Sequence, residues 1–241
     1  MARKSDLRNQ RENTVINNIS KGQEKALDRA LSTVKLKLTQ KFKGLQLHHV
    51  NSWKLADVVE DLREHFPDID FHYFFKTSAM KPDGGIISIK DDSGRLYPIL
   101  ITEKKNQGTN DLRALEGKSK QAKGNAIERL GKNVIGFRTA MKKESIFPFV
   151  CFGDGCDFDD DSSILDRVVT IAQFGKLNKE HLHKQGGNSE FDRGTFYFRA
   201  AEWTEEEMAS RSYSIAEKSI FYYFSKYGHQ IFLDGEVGFD F

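Results

Sequence analysis

The sequence predicts an α/β domain, a mixed central β-sheet flanked by helices. Three observations carry that prediction. Amphipathic helical runs alternate with β-rich runs along the chain, which is the pattern of a layered α/β domain. Two of the β-rich runs flank a turn signal, Asp91-Asp92-Ser93-Gly94, and read as a hairpin. At 241 residues, with 38% hydrophobic and 30% charged residues, the chain can bury a substantial core and is not of disordered composition.

The elements follow in order. "MARKSDLRNQRENT" is basic and polar and lacks the apolar core of a secretory signal. Residues 1–20 are expected to be mobile, and residues 21–241 to form a single domain. "KGQEKALDRALSTVKLKLTQKF" has helical spacing, and "SWKLADVVEDLREHF" is expected to be a second helix, capped by Ser52 and stopped before Pro67. The aromatic run "DFHYFFKTS" is strand-like. "GGIISIKDDSGRLYPILITEKK" is the hairpin, and "GNAIERLGKNVIGFRTAM" a helix despite its two internal glycines. "FPFVCF", "VVTIAQF" and "GTFYFRAAEW" read as buried strands, and "SYSIAEKSIFYYFSKY" as a helix or a strand–helix mixture.

Composition excludes several classes. No apolar run approaches the roughly 18 residues of a membrane span, so a cytoplasmic protein is expected. Cys151 and Cys156 lack nearby histidines and are too few for a zinc site; free thiols are expected over a disulfide. The net charge of +2 announces no polyanion partner. Its distribution is informative, however. Residues 104–143 carry eleven basic side chains against three acidic ones, while acid concentrates in "DGCDFDDD" and "EWTEEEM". Such a segment fits either a solvated helix face or a surface turned to a polyanion.

The hairpin supplies chemistry. Pairing Lys90 with Arg95 places Asp83 opposite Thr102, one residue short of Glu103. A bulge at Gly94 would bring Glu103 directly opposite Asp83. In either register two carboxylates reach one end of one hairpin, and strand alternation puts Lys105 on the face of Glu103. Two carboxylates can hold a hard divalent cation, which polarises a phosphodiester and acidifies a bound water. The lysine stands where negative charge grows. An ordinary surface cluster is the competing reading, since Asp-x19-Glu-x-Lys alone is a weak pattern.

"KPDGG" followed by "TEKK" resembles the PD-(D/E)xK nuclease signature. The resemblance implies Mg²⁺ bound by Asp83, Glu103 and the backbone carbonyl of Lys104, with Lys105 positioning or activating the attacking water. A lysine at position 104 departs from the pattern, where a small or apolar residue is commoner, and leaves open how its side chain leaves the core.

The helix sharpens this. Ile127, Leu130, Val134, Phe137 and Met141 recur at helical spacing as one apolar stripe. At about 100° per residue, Asn125 and Arg129 fall on the opposite face, one turn apart. Lys123 and Gly124 precede the first turn, where free N–H groups and the dipole favour phosphate. Amide and guanidinium groups so placed can read base edges in the major groove.

"MKPDGG…KDD…TEKKNQG…KGNAIER…KN" is similar to the EcoRI group of type II restriction endonucleases, over residues 77–152. That resemblance implies base contacts to a central AATT from Asn125, Ala126 and Arg129. It implies that Glu128 couples the recognition elements of two subunits, that Lys81 contacts the DNA backbone, and that Gln107 begins a base-contacting arm. Ala122 matches a pyrimidine-contacting alanine, whereas Gln121 and Lys123 depart from the pattern. The segment between Glu103 and Glu128 is short for the family, so the arm should be reduced. The expected protein is a Mg²⁺-dependent homodimer that cuts double-stranded DNA at a palindrome and leaves 5′ overhangs, with a methyltransferase in the same system. A repair or mobile-element nuclease is disfavoured by the "KGNAIER" helix, and a non-catalytic DNA binder by the intact Asp83, Glu103 and Lys105.

Overall fold

The computed structural model describes residues 14–106, 125–159 and 162–233. Five helices are described: α1 (Thr14–Lys41), α2 (Leu55–His65), α3 (Asn125–Ala140), α4 (Ile164–Ile171) and α5 (Glu205–Tyr227). The strands are β1 (Leu47–Val50), β2 (Trp53–Lys54), β3 (Ala79–Met80), β4 (Gly85–Lys90), β5 (Leu96–Asn106), β6 (Phe149–Asp154) and β7 (Thr195–Arg199). The main sheet has the order β1-β4-β5-β6-β7. The first three strands pair antiparallel and the last three parallel, so the sheet is mixed, as the sequence predicts.

Parallel strands need crossovers, and here the crossovers are α3 between β5 and β6 and α4 between β6 and β7. Both cover one face of the sheet. Ile127, Leu130, Val134 and Phe137 of α3 and Ile164 and Val168 of α4 pack there on Ile86, Ile101, Phe149, Cys151, Phe196 and Phe198. The other face is covered by α1 and α5. Leu27, Leu31, Val34 and Leu38 join Ile215, Ile220 and Tyr223 over Ile87, Leu100, Val150, Phe152 and Tyr197.

The hairpin register moves by more than one residue. The Asp92-Ser93-Gly94 loop closes with Gly94 at φ +90°, and Lys90 pairs with Leu96 rather than Arg95. A second shift lies between Ile87 and Ser88, where Ile99 is the extra residue on β5. Tyr97 and Ile99 face the α1/α5 layer before this bulge, and Leu100 faces it after, while Ile101 turns to α3. One inserted residue has exchanged the faces of the strand. Pro98 sits beside the bulge, the place a sheet tolerates proline.

Four expectations are corrected. The first helix begins at Thr14, before residue 21. Ser52 does not cap α2; Trp53 and Lys54 are drawn into the β2–β3 pair, and Leu55 N–H donates to Ser78 O instead. "DFHYFFKTS" forms no strand, and Phe74 and Phe75 stand exposed rather than alternating over a core. "VVTI" is helical, because Ile164, Val168 and Ala172 bury at four-residue spacing and this outweighs the β-branched composition. The run from Ser212 resolves wholly as helix, inside α5, whose Thr204–Glu207 capping box starts it.

Gly84 is required by close approach. A Cβ there would lie 2.1 Å from Thr102 Oγ1 and 2.9 Å from Leu27 and Leu31. Gly84→Ala is expected to cost about 1–3 kcal/mol of stability through overpacking. Urea denaturation measures it, and an unchanged midpoint would contradict this packing.

Candidate active site

The segment before β4 is tied to β5 by reciprocal bonds. Gly84 N–H donates to Thr102 O at 3.0 Å, and within the segment Gly85 N–H donates to Pro82 O at 3.1 Å. Asp83 N–H donates to Glu103 Oε2 at 3.1 Å, and Lys104 N–H donates to Asp83 Oδ2 at 3.2 Å. His49 Nε2 lies 2.8 Å from Gly84 O, and its Nδ1 lies 3.4 Å from Lys35 Nζ. Nδ1 accepts from the lysine, which leaves Nε2 to carry the proton and donate. The carboxylate of Asp83 is thus aimed by backbone on both sides.

Lys105 closes the cluster. Its Nζ lies 2.6 Å from Glu103 Oε1 and 2.8 Å from Asp83 Oδ2. Glu103 is 1% exposed. Burial raises its pKa above the ordinary value, against the pull of Lys105. Burial alone would lower the Lys105 pKa, but the Glu103 and Asp83 carboxylates outweigh it and hold the amine protonated. Glu103 Oε1 also accepts from Asn133 Nδ2 at 3.3 Å, a residue of α3.

Lys104 points the other way. Its Nζ is buried and meets Asp154 Oδ2 at 2.6 Å. Asp154 is held further by Asn106 Nδ2 at 2.8 Å and Trp203 N–H at 3.2 Å. The lysine therefore does not leave the core; it is neutralised inside it. A strand residue directs its N–H and C=O to the same edge. Since Lys104 N–H reaches Asp83, its carbonyl faces the same edge, where Pro82 can offer no N–H.

The oxygen donors suit a hard divalent cation: two carboxylates and a carbonyl with no ladder partner from proline. Cys151 of β6, the register partner of Glu103 on β5, is free and buried, and burial pushes its thiol well up, so it stays neutral. Cys156's side chain lies outside the described residues. A second acidic group, Asp61, Glu64 and His65, brings ligand atoms within 4.8 Å. Asp61 Oδ1 is already shared by Arg95 and Lys143, so that group is an ion-pair node.

The other predicted residues are placed as follows. Lys81 is exposed beside Pro82. Asn125 and Ala126 open α3, and Glu128 and Arg129 are exposed in its first turns. The apolar stripe from Ile127 to Met141 is buried throughout. Gln107, Ala122, Lys123 and Gly124 lie outside the described residues. Part of the basic excess is internal: Lys104, Lys105, Arg138 and Lys143 pair with Asp154, Glu103, Asp192 and Asp61. The sequence assigns no role to Asn133 or Asp154. Asn133 stands in the "KN" that closes the matched pattern, one turn beyond Arg129. Asp154 carried no motif.

A family model for the restriction endonuclease EcoRI matches residues 9–230. The chain belongs to that family. It is 31% identical over 218 residues to the type II restriction enzyme RsrI of Cereibacter sphaeroides, covering 76% of this chain and 78% of that protein. It is 32% identical over 152 residues to the type II restriction enzyme EcoRI of Escherichia coli, covering 60% of this chain and 55% of that protein. The fold and the enzyme class expected from sequence, a type II site-specific deoxyribonuclease, stand with this membership, which implies double-stranded DNA as substrate and a divalent metal. Among the described residues no helix is long and apolar enough to cross a membrane.

The Glu103 environment makes a prediction about the metal-free enzyme. Its folded pKa stands above glutamate's ordinary 4.5. A raised carboxyl contributes stability that is complete below the unfolded value and is lost as pH rises through the folded one. Glu103→Gln removes that loss. In chelator, the variant's Tm should gain on the wild type as pH climbs from about 4.5. A Tm difference independent of pH would show that Glu103 ionises without cost.

Proposed function

We propose that this enzyme is a Mg²⁺-dependent endonuclease that cuts both strands of a palindrome with a central AATT, leaving 5′ overhangs. The observation that carries the catalytic part is the Lys105 ammonium bridging Asp83 and Glu103 at the end of the hairpin. A buried lysine between two acids is costly as architecture. It is economical where the same oxygens take a divalent cation in turn.

Asp83, Glu103 and the Lys104 carbonyl would hold that cation, which supplies Lewis-acid polarisation of the phosphodiester and a more acidic bound water. The protein's own groups do the rest. The backbone bonds to Asp83 and Glu103 fix the two carboxylates. Lys105, kept protonated by its neighbours, acts as a positive charge beside the reacting phosphate rather than as a base. Lys81 stands exposed where it can meet the DNA backbone.

Recognition is assigned to the start of α3, with Asn125, Ala126 and Arg129 on the base edges and Lys123 and Gly124 at the phosphate. Ala122 and Gln107 complete the contacts, and Glu128 couples the subunits. A palindrome is read most simply by a two-fold homodimer, with one active site per strand. Residues 21–241 act as one catalytic and DNA-binding domain. The enzyme works in the cytoplasm, beside a methyltransferase that protects the same site.

Plasmid digestion with Mg²⁺ tests the reading. Discrete fragments whose junctions share AATT are expected, and Asp83→Ala, Glu103→Ala and Lys105→Ala should each lose several orders of magnitude in rate. Double variants should lose little more, because the three groups act as a unit. Smeared products would favour a less specific nuclease, and junctions without AATT would remove the base assignments of Asn125 and Arg129. Sedimentation should give a dimer.

A further inference from the structure

One contact joins the candidate recognition helix to the candidate catalytic cluster. Asn133 lies on α3, one turn beyond Arg129, and its Nδ2 reaches Glu103 Oε1 at 3.3 Å. Among the described residues, the groups holding the Glu103 carboxylate come from three places. Lys105 is its neighbour on β5, Asp83 N–H belongs to the hairpin's other arm, and Asn133 comes from the helix. Only the last can report where α3 sits.

The helix is built to report it. Ile127, Leu130, Val134 and Phe137 are each at most 1% exposed, so α3 rests on the sheet along this stripe and shifts as one rigid rod. Arg129 and Asn133 are about 6 Å apart along that rod, at 1.5 Å per residue. They share a face, with Arg129 in solvent and Asn133 half-buried against the carboxylate. A small displacement of the rod when its first turns meet DNA is carried directly to Nδ2. The lone amide donor is weaker than the Lys105 ion pair in the free enzyme. It gains weight when a divalent cation competes with Lys105 for the same oxygens, because an ammonium and a dication repel.

We infer that Asn133 is a positioning residue, which turns the seating of α3 into the orientation of Glu103 and so couples site recognition to metal capture. This rests on the reading of Glu103 as a metal ligand. Residues that orient a ligand commonly govern metal affinity or activity by 10- to 100-fold. Asn133 touches neither DNA bases nor the reacting atoms in this reading, and it acts through Glu103.

The test compares full-length wild type with Asn133→Leu, similar in volume but without a donor, and Asn133→Ser, which shortens it. DNA binding is measured by titration of an AATT-containing duplex in chelator and again in Ca²⁺, and single-turnover cleavage is measured across Mg²⁺ concentrations. The expected result is a chelator affinity within about three-fold of wild type. The affinity gained on adding Ca²⁺ should shrink, and the Mg²⁺ concentration for half-maximal cleavage should rise, each by roughly 10- to 100-fold. Cleavage within two-fold of wild type at limiting Mg²⁺ overturns the inference. So does a loss of chelator binding equal to the loss of cleavage, since that places Asn133 in recognition or in folding. Glu103→Ala serves as the reference: if it still cuts at the wild-type rate, the reading of Glu103 fails and this inference with it.

Discussion

The extra residue on β5 is the constraint on which the site depends. Side chains alternate along a strand, so every residue downstream of a one-residue insertion changes face. Without Ile99 out of register, Glu103 and Lys105 would point toward α1 and α5, and Lys104 would point toward α3. With it, the two acid-pairing residues turn to the face that carries the candidate recognition helix. The bulge is itself enforced by packing. Ile99 and Leu100 both bury against the α1/α5 layer, and Ile101 buries against α3. No single alternating register satisfies all three, together with Tyr97.

The same strand solves a charge problem on both of its faces. Glu103, Lys104 and Lys105 are consecutive, and each carries its charge at or near the core. A buried ion stripped of its partner costs several kcal/mol, so the partners must be supplied at short range. Lys105 finds Glu103 and Asp83 on one face, and Lys104 finds Asp154 on the other. Asp154 is in turn fixed by Trp203 N–H, whose own side chain donates to Gly153 O at 3.0 Å. The end of β5 is therefore clamped from both sides before any ligand arrives. This is the rigidity that a site needs if its carboxylates are to be held for a cation and not left to find it.

Much of this was legible in the sequence, and the reasons differ by element. The apolar stripe of α3 was read correctly because five positions repeat at one period, a signal that neighbours cannot overturn. The convergence of Asp83, Glu103 and Lys105 was also legible, because a hairpin brings distant residues together by pairing alone. The register was not, since its two shifts arise from a turn glycine at +90° and from packing against a layer far along the chain. Ser52 as a cap and a strand at "VVTI" failed for one shared reason. Local propensity was read where tertiary contacts decided: β2 claimed Trp53 and Lys54, and helical burial claimed Ile164 and Val168. The sequence assigns no role to Asp154 or Asn133. Their roles rest on contacts between residues distant in the chain, Asp154 with Lys104, Asn106 and Trp203 and Asn133 with Glu103, and such contacts leave no pattern along it.

The Lys105 geometry bears on how one site can be both stable and reactive. Two carboxylates this close repel when both are ionised, and burial of Glu103 sharpens the conflict. The ammonium resolves it in the free enzyme, as an internal cation of the right charge and reach. A divalent ion held by the same oxygens would offer them twice the charge. The two solutions exclude one another only partly, because Lys105 hangs on a flexible stem while the carboxylates are fixed by backbone. If a cation took the Glu103 oxygen, the ammonium would still have Asp83 within reach and could face a phosphate. Under the proposed reading, the residue that neutralises the two carboxylates in the free enzyme would also supply the positive charge beside the reacting phosphate.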